Sequence, residues 1–144
     1  MRILSIGAVE HVAYVLAKDQ LKWDEPIPNF NTRFPNILES CLATPFQAFG
    51  GKDLYPGLVK RAAMLFYLMV KNHPFKNGNK RVAMTTMMLF LLINAKWLKV
   101  NNYDLYKFTL WIAESDAKLQ TDVVGAIESY FRQHLVDKQE RRTI

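Results

Sequence analysis

A single cysteine, Cys41, stands in a chain of 144 residues, which excludes an internal disulfide framework and a zinc site built from cysteines. Long apolar runs are missing too. The longest, Val82 to Ile93, covers 12 residues and is interrupted by Thr85 and Thr86, too short to span a bilayer and suited to a buried core helix. The start, Met1 to Gly7, carries too short an apolar run for a signal peptide, and Glu10 follows soon after. There is no internal repeat, low-complexity tract or interdomain linker. A G-x-x-x-x-G-K-[ST] phosphate loop is absent, and Glu10-His11 lacks the spacing of a metalloprotease helix. These absences predict a cytoplasmic protein without membrane spans, one domain over residues 1–144. A chain of this size buries roughly two-thirds of its unfolded surface and needs no covalent staple.

Acidic residues are missing from one short stretch. The formal net charge is +6; residues 1–72 hold +2 of it, residues 82–144 hold +1, and the nine residues from His73 to Arg81 hold +3 through Lys76, Lys80 and Arg81. A nucleic-acid binder usually spreads its charge over a face several phosphates long, so nucleic acid is not the expected partner. A local cluster suits a compact anion such as the phosphates of a nucleotide.

What is present is helical periodicity. No segment alternates apolar and polar residues long enough for a central strand. Ile6 to Lys18 carries Val9, Val12, Ala13, Leu16 and Ala17 along one stripe, and Leu21 to Phe34 reads as a polar, proline-marked loop. Pro35 can occupy the first turn of a short helix through Leu42, and Thr44 to Gly51 reads as a loop or small hairpin with exposed aromatics. Helices are expected from Pro56 to about Asn72, from Tyr103 to Ser115 and from Asp122 to Val136. The helix at about 79–95 is apolar nearly all round after Arg81, which makes it the central one of an all-α bundle. The tail, 138–144, is polar and expected to fray.

The segment His73-Pro74-Phe75-Lys76-Asn77-Gly78-Asn79-Lys80-Arg81 sits between an outer helix and the central one. A turn feeding a helix N-terminus offers free N–H groups and the positive end of the dipole to an anion. Gly78 allows close backbone approach, and Asn79 is a good N-cap with an amide to donate. Lys80 supplies a mobile point charge and Arg81 a rigid fork matched to phosphate oxygens. His73 is the one side chain here that ordinarily titrates near neutrality. Phe75 reads as a core anchor, and Asn77-Gly78 alone is an ordinary turn signal. His11 and His134 have no motif around them and read as surface or partner-facing residues.

This stretch resembles the signature of the Fic/Doc family, HxFx[D/E][G/A]N followed by Gly or Lys and then Arg, with His73, Phe75, Gly78, Asn79, Lys80 and Arg81 in order. The resemblance extends over a motif-bearing core of about 35–135, including a flap-like segment at 44–51. It implies a compact helical bundle and transfer of part of a nucleotide triphosphate to a protein hydroxyl. By resemblance His73 is the general base, Arg81 a catalytic residue, and Lys76, Gly78, Asn79, Lys80 and Arg81 hold the phosphates, while Phe46, Gln47, Ala48 and Phe49 form the flap that docks the target.

Within the family the details point to the Doc (death-on-curing) branch. Lys80 replaces the glycine usual in AMP-transferring members, and Met84 stands where those members carry a second arginine. The branch implies a toxin that moves the γ-phosphate of ATP onto a translation factor such as elongation factor Tu. It also implies an antitoxin acting in trans, since no inhibitory [S/T]xxxE[G/N] segment occurs in the chain. Tyr130 and Phe131 are candidate contacts for it. One departure stands out: the family's acidic residue, which holds Mg²⁺ on the phosphates, is Asn77 here. An amide oxygen ligates a hard cation without contributing charge. The alternatives are therefore an AMP-transferring enzyme or a catalytically degenerate binding module.

Overall fold

The computed structural model describes residues 1–23 and 25–142. Ser5 caps the first helical path, its hydroxyl accepting from the Ala8 N–H at 3.0 Å. That path runs without a break through α1 (Ile6–Ala8), a π-helical stretch (Val9–Ala13) and α2 (Tyr14–Gln20). Its buried stripe is Val9, Ala13, Tyr14 and Ala17. Val12 and Leu16, expected on that stripe, lie beside it and are exposed.

The segment expected to be a polar loop, 21–34, is partly core: Leu21, Ile27 and Phe30 are buried, the last in a short 3₁₀ turn over Phe30–Thr32. Helix α3 (Pro35–Ala43) begins at its proline, as the missing N–H predicts. A 3₁₀ turn (Thr44–Phe46) leads into a hairpin of β1 (Ala48–Phe49) and β2 (Lys52–Asp53), antiparallel with Ala48 opposite Asp53 and Phe49 opposite Lys52. Gly50 and Gly51 form its two-residue turn at φ 58° and 78°. Positive φ at both central residues is the type I′ geometry that matches strand twist.

Helix α4 (Leu58–Lys71) starts after Gly57 rather than at Pro56, and α5 (Asn79–Ile93) follows the charged loop. Helix α5 packs against α4, α2, the π-helical stretch, α6 (Asn102–Glu114) and β3 (Lys96–Leu98), which makes it the centre of the bundle. Helix α7 (Gln120–His134) lies on the far side of α4, with Phe66 and Phe131 in contact at a centroid distance of 5.8 Å.

The C-terminus departs from expectation. Helix α7 ends at His134, and Leu135–Asp137 forms β4, antiparallel to β3 with Trp97 opposite Val136. Three residues on each side, about 40 apart in sequence, leave no periodicity to read. The tail continues as a 3₁₀ turn over Lys138–Arg142, tied by the Lys138 N–H to the Ala95 carbonyl at 3.0 Å. The last two positions of the expected frayed tail, 143 and 144, lie outside the described residues. The fold is all-α with two short ribbons.

Candidate active site

The loop from 72 to 79 connects the two helices that share the largest interface in the bundle, so its ends are fixed before its own residues are considered. Asn72 closes α4 and hydrogen-bonds the Cys41 thiol, which burial nonetheless pushes up to about 11. Cys41 is thus an inert anchor between α3 and the end of α4.

His73 follows at φ 52°, in the left-handed region that disfavours any side chain with a Cβ. Glycine is the usual residue just past a helix end. A histidine there costs about 1 kcal/mol and persists because the fold on both sides imposes it. The bend turns the imidazole to solvent, and His73 is exposed. Pro74 and Phe75 turn the other way and are buried. The Phe75 ring lies 6.2 Å from Tyr14 and 5.8 Å from Phe30, and the Pro74 carbonyl accepts from the Phe34 N–H at 2.8 Å. The Tyr14 hydroxyl donates to the Pro28 carbonyl. The segment 21–34 is therefore a buttress of the loop. Its signal in the sequence was apolar Leu21, Ile27 and Phe30 among the prolines, too sparse for a periodic pattern.

The helix start also differs in detail from expectation. Gly78 at φ 77° is the N-cap, and no side chain caps α5. Asn79, expected as the cap, is the first helical residue, and its amide folds back to close the loop. Its Oδ1 accepts from the Phe75 N–H at 2.8 Å while its Nδ2 donates to the Phe75 carbonyl at 2.8 Å. These two bonds fix the orientation of the amide. Its Nδ2 then faces His73 Nδ1 at 3.4 Å, a contact in which Nδ1 accepts when the ring proton sits on Nε2. A Cβ on Gly78 would meet Ile27 Cγ1 at 2.6 Å, so the position needs glycine for its dihedral and for the close packing of the buttress.

Lys76 is exposed and Lys80 half-buried, and neither has an ion-pair partner among the described residues. Together with the uncapped N–H groups of α5 they leave positive potential around the loop. Arg81 points elsewhere. Its side chain is buried, with one guanidinium nitrogen donating to the Leu21 carbonyl at 3.1 Å and the other to the Glu25 carbonyl at 2.7 Å. The expected phosphate fork lies behind the loop, clamping the 21–25 backbone.

Asn77 is half-buried, and the loop from 73 to 81 offers no carboxylate. Among the described residues no group of three His, Cys, Asp or Glu side chains could hold a metal ion. One neutral amide oxygen among three cations does not fit a protein-held Mg²⁺. Any such ion would depend on the phosphate oxygens of the substrate.

The expected flap does not reach the loop: Phe46 packs on Phe90 and Asp53 pairs with Arg61, at the end of the α4–α5 pair opposite residues 72–79. Gln47, Ala48 and Phe49 face solvent, Phe49 at 81% exposure on the turn side of the hairpin. Phe46 does not join them. It packs edge-on against Phe90 at 5.8 Å with the Arg61 guanidinium 5.0 Å from its ring, so it anchors the flap. Arg61 also bridges to Asp53 of β2 at 2.9 Å. Of the two candidate partner contacts, Phe131 is fully buried core, and Tyr130 stacks half-buried between Phe108 at 4.1 Å and His134 at 4.5 Å.

The Fic/DOC family profile matches residues 9–91, more than half of the chain and including the buttress as well as the loop. The chain is 38% identical over 58 residues to Toxin Doc of Mycolicibacterium smegmatis, a match covering 40% of this chain and 45% of that protein. The chain thus matches less than half the length of that relative. No solved structure matches it significantly. With the family profile spanning the π-helical stretch, the flap, the charged loop and most of the central helix, the chain belongs to the Fic/Doc family.

Proposed function

We propose that the chain is a Doc-like toxin that transfers the γ-phosphate of ATP to a hydroxyl on a protein of the translation machinery, elongation factor Tu being the target the family resemblance suggests. The observation that carries this reading is the loop itself. A strained, solvent-facing His73 stands beside the uncapped start of α5, with Lys76 and Lys80 around it and without an ion pair among the described residues. The N–H groups, Gly78 and the two lysines receive the phosphates, and Asn79 holds the loop in shape. The target hydroxyl oxygen forms a bond to the γ-phosphorus, the bond from that phosphorus to the β–γ bridging oxygen breaks, ADP leaves, and the hydroxyl proton passes to His73. Accepting that proton on Nε2 requires the other neutral tautomer, with the ring proton on Nδ1, and hence loss of the Asn79 contact, a small cost at 3.4 Å. General-base help of this kind is worth roughly 10²–10⁴-fold.

An antitoxin in trans is the proposed partner. An apolar groove available to it runs between Val12 and Leu16 of the N-terminal path and Met88, Leu92 and Trp97. A second reading, a nucleotide-binding module without transfer, is favoured by one observation: no carboxylate stands in the loop to hold a metal. Incubation with α- or γ-labelled ATP and a cell lysate separates the readings. Protein labelled only from the γ position supports the kinase-type toxin, label from α indicates AMP transfer, and no label with retained ATP binding indicates the module.

A further inference from the structure

Helix α6 packs inward on α4 and α5, and its inner face carries Leu105, Thr109 and Ile112, all buried. With 3.6 residues per turn, the opposite face carries Tyr103, Lys107, Leu110, Trp111 and Glu114. A helix face turned to solvent is normally polar. Here Tyr103 is 66% and Trp111 48% exposed, with half-buried Leu110 between them. Trp111 stacks on Phe108 at 5.6 Å, so its ring is held in place. Lys107 lies 5.3 Å from the Tyr103 ring, which keeps its ammonium on the same face. The spacing within this face is symmetric. Lys107 and Glu114 stand equally far on either side of the midpoint between Leu110 and Trp111. A two-fold axis through that midpoint, perpendicular to the helix, sets Lys107 of each copy against Glu114 of the other, with Leu110 against Trp111 between them. Residues 102–119 hold Lys107 and Lys118 against Asp104, Glu114 and Asp116, so this face does not add to the repulsion between two chains of net charge +6.

We propose that the outer face of α6 binds a second copy of this chain, the two helices lying antiparallel. The pairing is isologous, so each contact made by one copy is repeated by the other. Trp111 is the anchor at the centre, where interfaces concentrate large aromatics. The Lys107–Glu114 pairs flank it and fix the register. Matched charges on both sides of one midpoint serve a second copy; a different protein has no need of that symmetry. Helix α6 is roughly 20 Å long, which makes the interface small and the dimer weak. Its C-terminal end also adjoins the site. Lys71, two residues before His73, donates to the Ala113 and Ser115 carbonyls. Because the paired helices run in opposite directions, the two His73 loops stand at opposite ends of the interface. Self-association through α6 does not depend on the transfer chemistry.

The test is sedimentation equilibrium of the full chain at low salt, over concentrations from about 5 to about 500 μM, where a weak dimer forms and dissociates. The parent should show a monomer–dimer equilibrium. Lys107→Glu sets like charges against each other twice in the dimer, and so does Glu114→Lys. Each should raise the dissociation constant about tenfold or more. Mixed in equal amounts, the two variants regain opposite charges at both contacts and should form a heterodimer about as tight as the parent dimer. Trp111→Ser should weaken the parent dimer and the mixture alike. All three side chains are exposed, so the variants fold as the parent does, and their melting temperatures check this. A parent that stays monomeric throughout leaves the face to a different protein and overturns the proposal. A dimer that the single reversals leave unchanged, or a mixture that associates no better than its two components, overturns it as well.

Discussion

Among the described residues two that are not glycine hold φ in the left-handed region, His73 at 52° and Ala95 at 64°, and substitution with glycine distinguishes what each does. Both follow a helix end where glycine is the ordinary choice. His73→Gly should stabilise the fold by up to about 1 kcal/mol, the relief of the left-handed penalty less the entropy of a freer unfolded chain, and should abolish transfer. Ala95→Gly should give a similar gain with transfer intact, because Ala95 serves the turn into β3 rather than the loop. Thermal unfolding and the labelled-ATP assay on both variants check this; a His73→Gly protein that still transfers removes the base from the mechanism. Asn77 poses a different residue question. Asn77→Asp is nearly isosteric and adds a negative charge close to the N-terminus of α5, where the dipole welcomes it. It should tighten Mg²⁺-dependent ATP binding and raise transfer. A metal titration in which the variant binds Mg²⁺–ATP no better than the parent shows that position 77 is not the metal-ligand position.

At the scale of elements, the flap is a hairpin of two residues per strand held by a glycine turn at one end and by Phe46 and the Arg61–Asp53 pair at the other. Nothing lies within 4 Å of a Cβ built on Gly50, so only its dihedral restricts the residue there. Gly50→Asn should keep the hairpin, since Asn-Gly is a favoured type I′ pair, whereas Gly50→Val should open the turn and lower the melting temperature without changing ATP affinity. Equal melting temperatures for the two variants would show that the dihedral of Gly50 does not hold the turn. The hairpin also marks how far the sequence could be read. Long apolar periodicities in α4 and α5 give those helices to within about two residues, because burial of one face, or of all faces, repeats every turn. The β3–β4 pair, the position of the α5 cap and the direction of Arg81 were not legible. Each depends on a partner distant in the chain or on a side chain folding back, and neither leaves a local pattern. Residue types in the loop were legible because phosphate chemistry needs them close together, but their roles in holding the loop needed the coordinates.

On the scale of the whole molecule, the N-terminal third and the charged loop behave as one unit. Tyr14, Phe30 and Phe75 share an aromatic cluster, Ile27 fills the space beneath Gly78, and Phe34 bonds the Pro74 carbonyl. Arg81 closes this unit from α5 by holding two carbonyls of the segment 21–25. Removing it leaves those carbonyls without their charged donor and opens a hole beside Ile27. Arg81→Ala should therefore destabilise the fold by about 3 kcal/mol, in the range for breaking buried charged hydrogen bonds. The loss should be local in its dynamics. Amide exchange should quicken in 21–34 and in 73–81 together, while the α4–α7 interface around Phe66 and Phe131 keeps the protection of the global fold. Arg81→Lys should fall between the parent and alanine, because one ammonium retains the charge but cannot span two carbonyls with a rigid fork. Nucleotide binding should weaken in the same order, through loss of loop shape. If exchange quickens in 21–34 while 73–81 stays as protected as in the parent, the buttress and the loop are independent, and the N-terminal segment has no part in forming the site.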